Sequence, residues 1–202
     1  MPNKINTFIF DCFGVLCHPP FSGWYKDNMT AKGFADENFN NLLNDYDLGN
    51  ITEDEIYMSL SKYQGISSNE KEVRNQVDSY LKFDEKLADI ILKLKKLGFK
   101  TALLSNGNNS FFERKIYTTY PKFKELFDDI IISSNVKIMK PDPSIYIHTL
   151  NKINSKPEES LFIDDRKINI DGARDVGIHG YLYIDSNLFA EYIKSFGINL
   201  EN

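Results

Sequence analysis

Short apolar runs, each closed by a polar or turn-forming residue, recur along this chain of 202 residues. They fall at 7–10 (TFIF), 100–105 (KTALLS), 129–134 (DIIISS), 160–164 (SLFID) and 180–184 (GYLYI). Their length and their β-branched or aromatic content predict buried parallel strands. Between them the apolar residues move to helical spacing. The stretch 84–98 opens on Asp84, repeats Leu87, Ile90, Ile91 and Leu94, and closes on a lysine pair and Gly98. These are the start and stop signals of a helix. Pro143 opens a second helix over 143–153, in the favoured first-turn position, and others are expected at 169–177 and 187–197. Strands that alternate with helices predict an α/β fold, a Rossmann-like parallel sheet covered on both faces.

The segment from 18 to 83 interrupts that alternation. It holds four helix patterns, at 22–33, 36–49, 52–65 and 68–83, and no convincing strand. Thr52 and Glu55 form a capping box, and Gly65 is a plausible stop. An all-helical cap domain of residues 18–83, inserted after the first strand, would leave 1–17 and 84–202 as the α/β core.

Composition narrows the possible functions. Hydrophobic residues make up 42% and aromatics 13%, enough for one full core with a smaller insertion. A formal net charge of -5 with charges of mixed sign argues against a nucleic-acid partner bound by phosphate neutralisation. No apolar run reaches the length of a membrane span, and the first residues lack the apolar region of a signal peptide. A cytoplasmic location without membrane contact is therefore expected. The two cysteines, Cys12 and Cys17, are expected as free thiols near the first strand, since two cysteines alone make no zinc site. Oligomeric state is not legible.

In an open parallel sheet, ligands collect at the carboxyl ends of the strands. The first strand runs into Asp11 and the second into Ser105 and Asn106. Lys140 follows the third, and the fourth ends at Asp164 and Asp165, with Asn169 just beyond. Crowded carboxylates repel one another unless a cation joins them, and oxygen ligands of this type suit Mg²⁺. The chemistry that follows has Asp11 attacking phosphorus, Lys140 and the metal neutralising its oxygens, and Ser105 donating a hydrogen bond.

These four stations, in this order and each at a strand end, resemble the haloacid dehalogenase superfamily of aspartate-nucleophile hydrolases. The stretch around 49–55 is similar to its sugar-phosphatase and epoxide-hydrolase N-domain branch. The resemblance implies Asp11 as nucleophile and metal ligand, with the backbone carbonyl of Phe13 as a second ligand and Asp165 as the direct ligand from the fourth strand. Asp164 and Asn169 would hold metal-bound waters. Cys12, Gly14, Ser105, Asn106 and Lys140 would contact the phosphate of a small phosphorylated substrate.

Phe13 departs from the pattern. Most phosphatases of this superfamily carry a second aspartate there, which protonates the leaving oxygen. The expectation is a Mg²⁺-dependent phosphatase lacking that acid/base and favouring leaving groups that need little protonation. His18, seven residues after Asp11, is a candidate substitute. One alternative is a 2-haloacid dehalogenase, whose family also has an aromatic residue at this position. It would need an arginine from the cap, and the first arginine after Asp11 is Arg74. The other alternative is a non-catalytic binder of phosphorylated metabolites. Trp24, Tyr25, Lys26 and Tyr46 are candidate cap residues lining the substrate space.

Overall fold

A computed structural model describes residues 5–28, 36–62 and 69–200. Five parallel strands, β1 (Thr7–Phe10), β2 (Lys100–Ser105), β3 (Asp129–Ile132), β4 (Ser160–Asp164) and β5 (His179–Leu182), form one sheet in the order β3-β2-β1-β4-β5. The central strand β1 pairs with β2 through Phe8 and Thr101, and with β4 through Phe8 and Leu161.

Side-chain alternation explains why each run is apolar throughout. Phe8, Phe10, Leu103, Leu161 and Ile163 enter one hydrophobic cluster, whereas Ile9, Ala102, Leu104 and Phe162 enter a second on the opposite face. Both faces are buried, so both parities must be apolar. On the second face the sheet is covered by α9 (Pro143–Lys152) and α10 (Lys167–Asp175). On the first it is covered by α5 (Glu85–Lys96) and α11 (Ser186–Lys194). The Asp84 carboxylate caps α5 by accepting from the Leu87 N–H, and three lysines close its last turn.

Among the described residues, four helices, α1 (Pro20–Asn28), α2 (Asp36–Asp47), α3 (Glu53–Ser61) and α4 (Glu70–Ser79), stand between β1 and α5. The capping box of Thr52 and Glu55 starts α3, and an equivalent one of Asn69 and Glu72 starts α4. Gly65, the expected stop, lies outside the described residues. The chain leaves and re-enters the core side by side, with His18 N donating to Lys82 O at 2.8 Å and an antiparallel bridge between Cys17 and Phe83. Trp24, Tyr57 and Val73 of the insertion share one hydrophobic cluster with Phe8 and Phe10 of the sheet.

The connection from β2 to β3 carries helical turns that the sequence pattern left unassigned. Asn108 caps α6 (Asn109–Phe111), which continues through a π turn (Phe112–Ile116) into α7 (Tyr117–Thr119). The third apolar run also stops short. Its serines leave the sheet to open α8 (Ser133–Val136), which ends at Lys137 in the left-handed conformation. Among the described residues no helix is long and apolar enough to cross a membrane.

Candidate active site

The carboxyl edge of the sheet brings Asp11, Lys140, Asp164 and Asp165 together. Asp11 follows β1 directly, and Asp164 is the last residue of β4, so each emerges where the apolar run ends. One carboxylate oxygen from each of Asp11, Asp164 and Asp165 lies within 4.8 Å of the other two. The Lys140 ammonium is buried between them, 2.7 Å from Asp11 Oδ1 and 2.8 Å from Asp164 Oδ2, and it also donates to Leu104 O at 2.9 Å. Three carboxylates against one ammonium leave an excess of negative charge at this edge.

Asn106 acts on the lysine from behind. Its Oδ1 accepts from Lys140 N at 2.8 Å and its Nδ2 donates to Lys140 O at 2.9 Å, so one side chain clamps both polar groups of that residue's backbone. Asp164 is fully buried and saturated, accepting from Lys140, from the Arg166 N–H and from Asn169 Nδ2. Burial opposes its charge, but these partners outweigh burial and hold its carboxyl below the usual range. Asp11 lies the other way. Burial raises it more than Lys140 can lower it, and Asp164 and Asp165 add to the rise. Burial and the Asp164 charge also raise Asp165, which is exposed. For Lys140, burial disfavours the charge, but Asp11 and Asp164 prevail and hold the ammonium above its ordinary value.

The donor set fits a hard divalent cation. All three carboxylates offer oxygen, and Asn169 has spent its amide N–H groups on Asp164, which leaves its buried Oδ1 without a hydrogen-bond partner among the described residues. Oxygen-only donors around excess negative charge are what Mg²⁺ or Ca²⁺ takes.

The remaining candidate residues fall around this centre. Gly14 turns the chain at φ +93°, and a Cβ there would sit 2.2 Å from Asp165 Oδ2, so only glycine lets the turn pass that carboxylate. The Cys12 thiol is buried in the hydrophobic cluster, and its N–H donates to Asp11 Oδ1 at 2.6 Å. Both cysteines are free, and burial raises the Cys12 thiol well above its ordinary value. Ser105 is fully buried and donates to Asn106 O at 3.2 Å. The Phe13 ring faces the cavity and packs against Phe111 and Phe112, and Phe111 in turn meets Phe21 of α1.

A cavity of about 550 Å³ opens above Asp11 and is walled on its far side by the insertion, through Pro20, Phe21, Asn44, Tyr46 and Asp47. Of the four cap candidates only Tyr46 lines it. Trp24 is buried and donates to Gln76 at 2.9 Å, Tyr25 stacks on Phe39, and Lys26 lines a separate cleft. That cleft also holds His18, which stacks on Tyr80. Asp47, Asn108, Ser133 and Arg166 were not picked out from sequence. The one available signal was Asp47, an acidic residue where the dipole of α2 disfavours negative charge.

The sequence profile of the haloacid dehalogenase-like hydrolases matches residues 5–177, and the chain belongs to that family. It is a hydrolase of this fold. Among curated relatives it is 26% identical over 219 residues to bifunctional epoxide hydrolase 2 of Sus scrofa, covering 97% of this chain but 40% of that protein. The chain thus spans less than half the length of that relative. It is 28% identical over 142 residues to the sesquiterpene phosphatase astK of Aspergillus oryzae, covering 70% of this chain and 71% of that one. A solved structure of a family enzyme from Bacteroides thetaiotaomicron, in complex with magnesium and inorganic phosphate, superposes with a TM-score of 0.73. It is 25% identical and covers 92% of this chain and 100% of that one.

Proposed function

We propose that this chain is a divalent-metal-dependent phosphatase of small phosphorylated metabolites, with Asp11 as its nucleophile. The observation that carries the reading is the Lys140 ammonium buried between Asp11 and Asp164 within a cluster of three carboxylates. The solved relative that binds magnesium and phosphate supports it.

Lys140 Nζ and the Cys12 N–H both hold Oδ1 of Asp11, which fixes the carboxylate and leaves Oδ2 as the attacking oxygen. That oxygen adds to phosphorus as the bond to the leaving group breaks, giving an aspartyl phosphate. Water then hydrolyses this intermediate and restores Asp11. Lys140 balances charge on the transferred group, Asn106 fixes Lys140, and Ser105 is the hydroxyl nearest the end of β2. Asp11, Asp165 and the Phe13 carbonyl would hold Mg²⁺ directly, with Asp164 and Asn169 acting through its waters. The bound ion would supply charge neutralisation of the phosphoryl oxygens. Residues 18–83 serve as the cap that closes the substrate space, and its volume suits a small metabolite. Phe13 lets the side-chain position beside the nucleophile stay apolar while its carbonyl still serves.

The dehalogenase alternative needs a cap arginine facing substrate. Arg74 instead pairs with Asp54 and lies over the Tyr57 ring, and it does not line the cavity. A panel of phosphorylated metabolites and 2-haloacids, assayed with Mg²⁺ and with EDTA, tests the choice. Phosphate release that EDTA abolishes is expected. Halide release insensitive to EDTA would overturn the reading.

A further inference from the structure

We propose that Asp47, carried by the insertion at the end of α2, is the general acid and base of this site and fills the role for which Phe13 has no group. The inference rests on the phosphatase reading above.

Asp47 is the last residue of α2 and lines the same cavity as Asp11, Lys140 and Asp165. A carboxylate at a helix C-terminus faces the negative end of the helix dipole, so it weakens α2 and its presence there calls for another reason. Three core side chains fasten that helix end to the catalytic edge. Asn108 Nδ2 donates to Tyr46 O at 2.7 Å, Ser133 Oγ to Asp47 O at 2.6 Å, and Lys137 Nζ to Gly49 O at 2.5 Å. Asp47 O, a carbonyl of the helix end, is thereby satisfied from the core, and Tyr46 O, which already accepts from Gly49 N at 2.9 Å, gains a second donor. The same bonds fix the Asp47 backbone relative to Asp11.

The carboxylate itself is left reactive. Among the described residues no side chain donates a hydrogen bond to it. Lys140 and Arg166 are the cations whose charges reach it and favour ionisation, yet burial prevails and its carboxyl is pushed up to about 7. A general acid/base works best when its pKa lies near the working pH. Phe13, packed on Phe111 and Phe112, meanwhile has no proton to give.

The proton balance closes over two steps. As Asp11 Oδ2 bonds to phosphorus and the ester P–O bond breaks, protonated Asp47 gives its proton to the departing alkoxide. The resulting Asp47 carboxylate takes a proton from water as that water attacks phosphorus. The bond from phosphorus to Asp11 then breaks, releasing inorganic phosphate and leaving Asp47 protonated for the next cycle. Alkyl phosphates thus become substrates, beyond the easily expelled leaving groups expected from Phe13 alone.

The test compares wild type and Asp47→Asn on glycerol phosphate, whose leaving alkoxide needs a proton, and on p-nitrophenyl phosphate, whose phenolate does not. Both are assayed with Mg²⁺. For Asp47→Asn, kcat/KM should fall about 10²-fold or more on glycerol phosphate and much less on the aryl ester. Phosphoenzyme should also accumulate with the aryl ester, because its hydrolysis has lost the base. The readout is a ratio of two rates on one preparation, so a loss of folded protein cancels. Asp47→Glu should restore part of the glycerol phosphate rate. Equal loss on both substrates, or no loss on either, overturns the role of Asp47 and leaves the phosphatase reading standing. A wild type that hydrolyses neither ester, nor any other phosphorylated metabolite, overturns that reading itself.

Discussion

The Asp11 and Asp164 carboxylates both depend on the Lys140 ammonium, whereas Lys140 keeps Asp164 and Leu104 O as partners when Asp11 is neutralised. Removing the lysine by Lys140→Met would leave the Asp11 and Asp164 carboxylates buried against each other without their ammonium. Breaking a buried pair in this way costs about 3–5 kcal/mol, and the loss should appear as a lower urea midpoint in EDTA. Mg²⁺ should recover part of that stability, because it supplies positive charge to the same carboxylates. Asp11→Asn should instead keep the fold and lose turnover, measurable as near-background phosphate release beside an unchanged melting profile. Gly14→Ala combines a Cβ 2.2 Å from Asp165 Oδ2 with a left-handed backbone, so it should weaken Mg²⁺ binding by displacing Asp165. Isothermal titration with Mg²⁺ would show this without reference to activity. At this scale much of the site was legible in the sequence. Asp11, Ser105 and Asp164 each end an apolar run, and a polar residue in that place is costly unless it is used. Asp47 left only the signal of an acidic residue near a helix C-terminus, and its place in the site was not legible, because only tertiary packing brings the end of α2 to the cavity that holds Asp11.

Among the elements, the insertion is held to the core by more than its two chain crossings. Arg114, in the π turn between α6 and α7, donates to Glu53 at the start of α3 and to Asp78 near the end of α4, at 2.6–2.9 Å. Glu53 and Asp78 are nearly buried, with side chains 11% and 14% exposed, so these bonds are stronger than surface pairs. Arg114→Leu should lower stability by about 2–3 kcal/mol, judged from charge-assisted hydrogen bonds. A urea melt of the full chain would measure it, and an unchanged midpoint would show that the clamp adds nothing. The five strands and the helices that cover them were read correctly because their periodicity and end signals agree. The α6–α7 connection was missed for a physical reason. Its aromatics serve two masters, Phe111 and Phe112 packing on Phe13 while Tyr117 packs on Phe123, and a π turn shifts the register between them. No single helical period survives in the sequence.

For the molecule as a whole, the insertion and the sheet share a hydrophobic cluster and a cavity, so chemistry at the sheet edge is coupled to the placement of α2. Asp47 makes that coupling dependent on pH. Its native carboxyl is pushed up to about 7, whereas an unfolded aspartate titrates near 3.9. Between those values the native state binds more protons than the unfolded chain, so the contribution of this group to stability falls as pH rises across that window. In metal-free buffer, the melting temperature of Asp47→Asn relative to wild type should therefore be higher at about pH 8 than at about pH 5. A difference independent of pH would remove Asp47 from this account. The central claim is covalent phosphoryl transfer to Asp11, and intact-protein mass spectrometry after acid quench tests it most directly. Incubation with Mg²⁺ and a turned-over phosphate ester, or with acetyl phosphate, should add the mass of one phosphoryl group. Peptide mapping should place it on Asp11, and Asp11→Asn should abolish it. Phosphate release in the wild type with no such adduct under rapid quench, or an adduct that persists in Asp11→Asn, would contradict the account.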